Sequence, residues 1–140
     1  MKLKVGLLGG GSWGTTVASL TAKNSETILW ARNPETVKEI NELHTNEKYL
    51  PDAKLTTSLK ASTSIKETVE EADVIVMGVP AQSFRHVLEE AKPFIRPWVP
   101  IINLAKGLEI STKMRMSEIV EEVMPGHPAG VLTGPNLAKE

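Results

Sequence analysis

Residues 5–18 read VGLLGGGSWGTTVA. A short apolar run ends in three consecutive glycines, and helix-compatible sequence begins at once. Glycine loses more backbone freedom on ordering than any other residue, so three together after a strand need a physical reason. Gly9-Gly10-Gly11-Ser12-Trp13-Gly14 matches the pattern G-x-G-x-x-G at a strand-to-helix junction. In that setting Gly9 permits the tight turn, Gly11 lets a pyrophosphate approach the bare backbone, and Gly14 lets helix and strand pack closely. Free N–H groups and the positive end of the helix dipole then attract the anion. The stretch is read as a dinucleotide-binding turn. The bland alternative is a glycine-rich turn with nothing bound.

The remainder of the chain fits that setting. Lys2–Leu8 is expected to be a strand and Trp13–Lys23 a helix. Glu26–Ala31 (ETILWA) is a second strand, and Pro34 occupies a helix's first turn, where proline is tolerated, before helical spacing over Glu35–Leu43. His44–Lys60 is polar and broken by Pro51; it reads as a loop with a short strand near Lys54–Thr57. Ser64–Ala72 reads as a helix, with Ser64 and Glu67 spaced as a capping box. Asp73–Val79 (DVIVMGV) is a continuous apolar run, as in a strand buried on both faces. Helix over Gln82–Ala91, strand over Val99–Leu104, helix over Lys113–Met124 and a short strand at Ala129–Leu132 follow. This alternation implies an α/β fold, Rossmann-like and doubly wound, with a mainly parallel sheet and helices on both faces. It fills residues 1–140, expected to form one dinucleotide-binding domain.

Composition narrows the partners. A length of 140 residues and 41% hydrophobic content suffice for one ordinary core. Sixteen basic against 17 acidic residues, net charge −1, give no case for a nucleic-acid partner. The chain contains no cysteine, which excludes disulfides and thiolate metal sites and suits a reducing compartment. The first apolar run is too short for a signal-peptide core, and no stretch approaches a membrane span. A cytoplasmic protein without membrane insertion is expected.

The end of the second strand bears on which dinucleotide binds. An NAD-preferring site usually places Asp or Glu there for the ribose 2′-hydroxyl. Here the sequence is Trp30-Ala31-Arg32-Asn33, with no carboxylate before Glu35. The donor fork of Arg32 suits a 2′-phosphate, so NADP(H) is the expected cofactor and NAD(H) the alternative. Equally, Arg32 can be a solvated loop cation. Lys106 directly follows a buried strand, where it either neutralises a substrate phosphate, polarises a carbonyl oxygen, or points into water. Val79-Pro80-Ala81-Gln82 marks another strand end, lying along the cofactor or serving as a plain turn. Trp13 is placed to cover the cofactor, whereas Trp98, between Pro97 and Pro100, is expected to be a packing residue. His44, His86 and His127 have no metal-ligand spacing.

Together the stretches GGGSWGT (9–15), LWAR (29–32), INELHTNEKYLP (40–51), ADVIVMGVPAQ (72–82), AKGLE (105–109) and GPNLAKE (134–140) resemble the bacterial NAD(P)-dependent glycerol-3-phosphate dehydrogenases. The resemblance spans the whole chain. It implies reversible hydride transfer between NAD(P)H and dihydroxyacetone phosphate, giving sn-glycerol 3-phosphate, the precursor of glycerophospholipids. It also implies cofactor contacts at Gly9, Gly11, Ser12, Trp13, Gly14, Arg32, Asn33, Tyr49, Lys106 and Ala138, and substrate contacts at Lys106, Gly134 and Asn136. Many members carry Ser or Thr where this chain has Asn136. Members of the family continue into a helical domain that supplies the proton-handling lysine. The resemblance therefore implies that the 140 residues correspond to the cofactor-binding half, with Lys106 supporting but no complete catalytic set; inactivity alone and a homodimer in the full-length form are expected. A dinucleotide-binding module without chemistry, or a related two-domain reductase of another small substrate, are the competing readings.

Overall fold

The computed structural model describes residues 2–132. Its centre is a six-stranded parallel sheet in the order β3-β2-β1-β4-β5-β6. The strands are β1 (Lys4–Leu8), β2 (Glu26–Trp30), β3 (Lys60–Ser62), β4 (Val74–Met77), β5 (Ile101–Asn103) and β6 (Ala129–Val131). The helices are α1 (Ser12–Thr21), α2 (Pro34–Leu43), α3 (Ile65–Val69), α4 (Ala81–Ala91) and α5 (Met116–Val123). The strand order doubles back at β1, so β1 pairs with β2 on one side (Leu7↔Leu29) and with β4 on the other (Leu7↔Val76). That reversal opens a crevice at the carboxyl ends of β1 and β4, where open parallel sheets bind ligands.

Alternation along the strands divides the core in two. Leu7, Leu29 and Val76 face α1 and α2, where Val17, Ala18 and Ile40 are buried. Leu8, Ile75, Met77 and Ile101 face the other way, against Phe84, Val87 and Leu88 of α4 and Ile119 and Val120 of α5. Adjacent residues of β1 and β4 thus serve opposite layers, which is why these strands read as unbroken apolar runs.

Local chemistry sets the helix ends. Asn33 Oδ1 accepts from Glu35 N–H at 2.8 Å at the start of α2, with Pro34 in its first turn. Ser64 Oγ accepts from Glu67 N–H at 3.1 Å at the start of α3. The reciprocal half of the expected capping box is replaced, because Ser64 N–H donates to Ser62 Oγ at 3.0 Å. At α5 the Glu118 carboxylate accepts from Arg115 N–H at 2.8 Å.

Three expectations are corrected. The short strand lies at Lys60–Ser62 instead of Lys54–Thr57. Residues 54–57 are held as irregular chain: Leu55 is buried, its N–H donates to His44 O at 2.8 Å, and Thr56 is bonded to Ser19. Lys60–Ser62 instead finds the free edge of β2, and Asn41 brackets it from outside: Asn41 Nδ2 donates to Ala61 O at 3.0 Å and Ala61 N–H to Asn41 Oδ1 at 2.8 Å. The amide stands in for a further strand on an exposed edge. Helix α5 begins at Met116 because Lys113 has φ +63°, which no right-handed helix contains. Trp98 is 73% exposed with φ +68°; the turn carries its ring out along Gly126 instead of into a core.

Candidate functional site

A cleft of about 590 Å³ lies over the carboxyl ends of β1, β2, β4 and β5, within the range of small-molecule sites. Its floor is the turn from Gly9 to Gly14, with Gly78, Val79 and Pro80 from the end of β4 beside it. Arg32 and Asn33 approach from the end of β2, and Lys106 from the loop after β5. Tyr49 lines the rim together with Lys48. The structure thus brings Gly9, Gly11, Ser12, Trp13, Gly14, Arg32, Asn33, Tyr49 and Lys106 to one cleft. Gly134, Asn136 and Ala138 lie outside the described residues.

The glycines of the turn do different work. Gly9 has φ +128°, and a Cβ there would sit 2.6 Å from the Gly78 carbonyl carbon. A Cβ on Gly14 would run into the Gly9 carbonyl oxygen. Both are needed for the turn and for the approach of α1 to the sheet. Gly11 differs. Its backbone is extended, with φ −74° and ψ −175°, which any residue adopts, and a Cβ there would meet nothing within 4 Å. Neither conformation nor packing within the described residues calls for glycine at this position. What its missing side chain leaves open is space in the cleft, at the N-terminus of the ten-residue helix α1.

Charge gives the cleft a preference. Among the described residues, the charged side chains lining it are Arg32, Lys48 and Lys106; all are basic, although the chain as a whole carries net charge −1. Glu35, the first carboxylate after β2, is not among the lining residues. The site therefore suits a polyanionic ligand. Trp30 forms one wall; its Nε1 donates to Thr63 O at 3.0 Å. Trp30, Lys48 and Thr36 were not among the residues expected from sequence. Lys48 sits beside Tyr49 in EKYLP, but nothing in that polar loop marks which side chains reach the cleft.

The loop bearing Lys106 is braced at both ends. Asn103, buried at the end of β5, accepts at Oδ1 from Ala105 N–H at 2.7 Å and donates from Nδ2 to Ala105 O at 3.1 Å. Further on, Gln82 Nε2 donates to Leu108 O at 3.0 Å, and Gln82 Oε1 accepts from Ile110 N–H at 2.9 Å. Glu109 is buried and receives Arg85 Nε at 3.0 Å. The Arg85 guanidinium, and secondarily the Thr112 hydroxyl, hold the Glu109 carboxyl below the usual carboxylate range. Residues 82 and 85 of α4 thereby tie the strand-end turn after β4 to the loop after β5.

Comparison with known proteins bears on the whole chain. Residues 4–140 match the family described as NAD-dependent glycerol-3-phosphate dehydrogenase N-terminus. A protein of Sphingopyxis alaskensis named glycerol-3-phosphate dehydrogenase [NAD(P)+] 2 is 60% identical over 140 residues, covering 100% of this chain and 42% of its own length. The crystal structure of a glycerol-3-phosphate dehydrogenase from Coxiella burnetii superposes with a TM-score of 0.88 at 32% identity, over 99% of this chain and 43% of that one. A ketopantoate reductase from Ralstonia eutropha, with a TM-score of 0.67 at 20% identity over 92% of this chain and 40% of that one, shares the fold alone. The chain spans about two fifths of the length of the relatives it matches. Among the described residues, no helix is long and apolar enough to cross a membrane.

Proposed function

The chain belongs to the NAD-dependent glycerol-3-phosphate dehydrogenase family through that family's N-terminal portion, and on this premise we propose that residues 1–140 are the NADP(H)-binding domain of a cytoplasmic enzyme interconverting dihydroxyacetone phosphate and sn-glycerol 3-phosphate. The carrying observation is Gly11, whose Cβ position is empty space in the cleft although its own backbone needs no glycine. A pyrophosphate pressed against the turn accounts for that space.

The chain's own groups then take these parts. Backbone N–H groups of the turn and the first turn of α1 hold the pyrophosphate. Arg32 reaches the ribose 2′-phosphate, with NAD(H) accepted less well. Trp13 and Tyr49 cover the bound dinucleotide, and Asn33 lines the cleft beside Arg32. When bound, NADPH supplies the hydride. Lys106, on its braced loop, neutralises the substrate phosphate or polarises the ketone. Gly134, Asn136 and Ala138 are assigned to cofactor and substrate by the family resemblance alone. Proton delivery to the developing alkoxide falls to the part of the longer family members that this chain does not match, and the full-length form is a homodimer.

The test is Gly11→Val. The variant is expected to keep the wild-type circular dichroism spectrum and to lose NADPH binding in a calorimetric titration. Wild-type affinity in a folded Gly11→Val chain would show that the dinucleotide does not use the space beside Gly11.

A further inference from the structure

Asn46 sits in the segment between α2 and β3, remote in sequence from the glycine turn, and is 0% exposed. Its Nδ2 donates to the Gly10 carbonyl oxygen at 3.0 Å and to Thr15 Oγ1 at 3.0 Å. Thr15, also 0% exposed, donates its hydroxyl to the same Gly10 oxygen at 3.2 Å. Two buried donors from different segments thus converge on one carbonyl of the turn. The Asn46 backbone carbonyl meanwhile accepts from Tyr49 N–H at 3.2 Å and Leu50 N–H at 2.7 Å, closing the turn that brings Lys48 and Tyr49 to the rim of the cleft.

We propose that Asn46 is a positioning residue for the phosphate-binding turn: with Thr15 it fixes the Gly10 carbonyl inward and so aims the Gly11 N–H into the cleft. The link is the planarity of the peptide unit. All peptide bonds of the described chain are trans, and in a trans peptide the C=O and the following N–H point in opposite directions. Holding the Gly10 oxygen against Asn46 and Thr15 therefore turns the Gly11 N–H away from them. It also keeps a carbonyl dipole from facing the anion that this N–H would meet. A buried carboxamide suits the task because it donates while carrying no charge that burial would penalise.

The proposal rests on the dinucleotide reading of the cleft. Its test measures NADPH dissociation constants by calorimetry below the thermal midpoint of each chain. Asn46→Asp keeps the shape but sets an acceptor against the Gly10 oxygen; Thr15→Val removes the second donor and Thr15→Ser restores it. Asn46→Asp and Thr15→Val are expected to weaken NADPH binding by about tenfold or more, while Thr15→Ser binds as wild type. Asn41→Ala removes a comparable clasp between α2 and β3 without touching the turn, and is expected to leave the dissociation constant unchanged. Folded Thr15→Val with wild-type affinity overturns the proposal even if Asn46→Asp fails to fold. Equal weakening in Asn41→Ala overturns it as well, since general loosening would then explain the loss. A wild-type chain that binds no NADPH overturns the dinucleotide reading instead.

Discussion

The guanidinium of Arg32 lies over the indole of Trp30, with Cζ 5.2 Å from the ring centroid. Trp30 is itself held, nearly buried, by the bond from its Nε1 to Thr63 O. A cation stacked on a fixed aromatic face loses less freedom when it takes up a phosphate than one swinging in water. Arg32→Asp is expected to weaken NADPH binding by about ten- to a hundredfold and to leave NADH binding equal or improved. Parallel calorimetric titrations with the two dinucleotides check this; unchanged NADPH affinity would return Arg32 to the role of a solvated cation.

Gly14→Ala is expected to behave in the opposite way to Gly11→Val. The added methyl runs into the Gly9 carbonyl oxygen, so α1 must move off the sheet at a cost of about 1–3 kcal/mol. The expected result is a lowered midpoint in thermal or urea unfolding, with weaker NADPH binding as a consequence. A midpoint equal to wild type would mean that the helix shifts freely.

Glu109 predicts a pH dependence. Arg85 holds its carboxyl below the usual range in the folded chain, so its contribution is fully present above the unfolded value, about 4.3. That contribution is lost as pH falls through the lower folded value. Glu109→Gln is therefore expected to lower the thermal midpoint at neutral pH, with the gap to wild type closing as the pH drops below about 4. Differential scanning calorimetry across that range checks it; a gap independent of pH would assign the loss to packing instead of ionisation.

Lys106 separates an enzyme domain from a binding module. The 140-residue chain is expected to bind NADPH without measurable loss of its absorbance on addition of dihydroxyacetone phosphate. Joined to the remaining portion of one of its longer relatives, it is expected to turn over, and Lys106→Ala in that protein to cut kcat/KM by about 10²–10³-fold. Robust turnover by the 140 residues alone would remove the case for a shared active site. An active longer protein indifferent to Lys106→Ala would leave the lysine as a solvated strand-end cation.

Much of the architecture was readable in the sequence because a few residues carry unambiguous signals. DVIVMGV announces a strand buried on both faces, and Ile75, Val76 and Met77 do serve opposite layers. Pro34 announces a helix start, and the structure adds the Asn33 side chain as its cap. Lys60–Ser62 was not readable, since three mostly polar residues become a strand only because β2 and Asn41 offer them partners. Asn46 was hidden for a related reason. A polar residue in a polar loop reads as solvated, and its burial depends on a contact 36 positions away. The grouping of Lys48, Arg32 and Lys106 in one cleft likewise arises from topology that no single stretch encodes.

The reversal of strand order at β1 also sets a schedule. Gly9 is wedged against Gly78, and Gly78 N–H donates to Leu8 O at 2.7 Å. A ribosome adding about 5–20 residues per second places roughly 4–14 s between the emergence of Leu8 and that of Gly78. Throughout that interval the nascent β1 can pair only with β2, and its other edge stays open to unwanted strands. The earliest strand of this sheet to be synthesised is thus completed only after β2 and β3, both of which follow it in the chain. That edge is a site of mispairing during synthesis, a liability that no contact in the completed cleft displays.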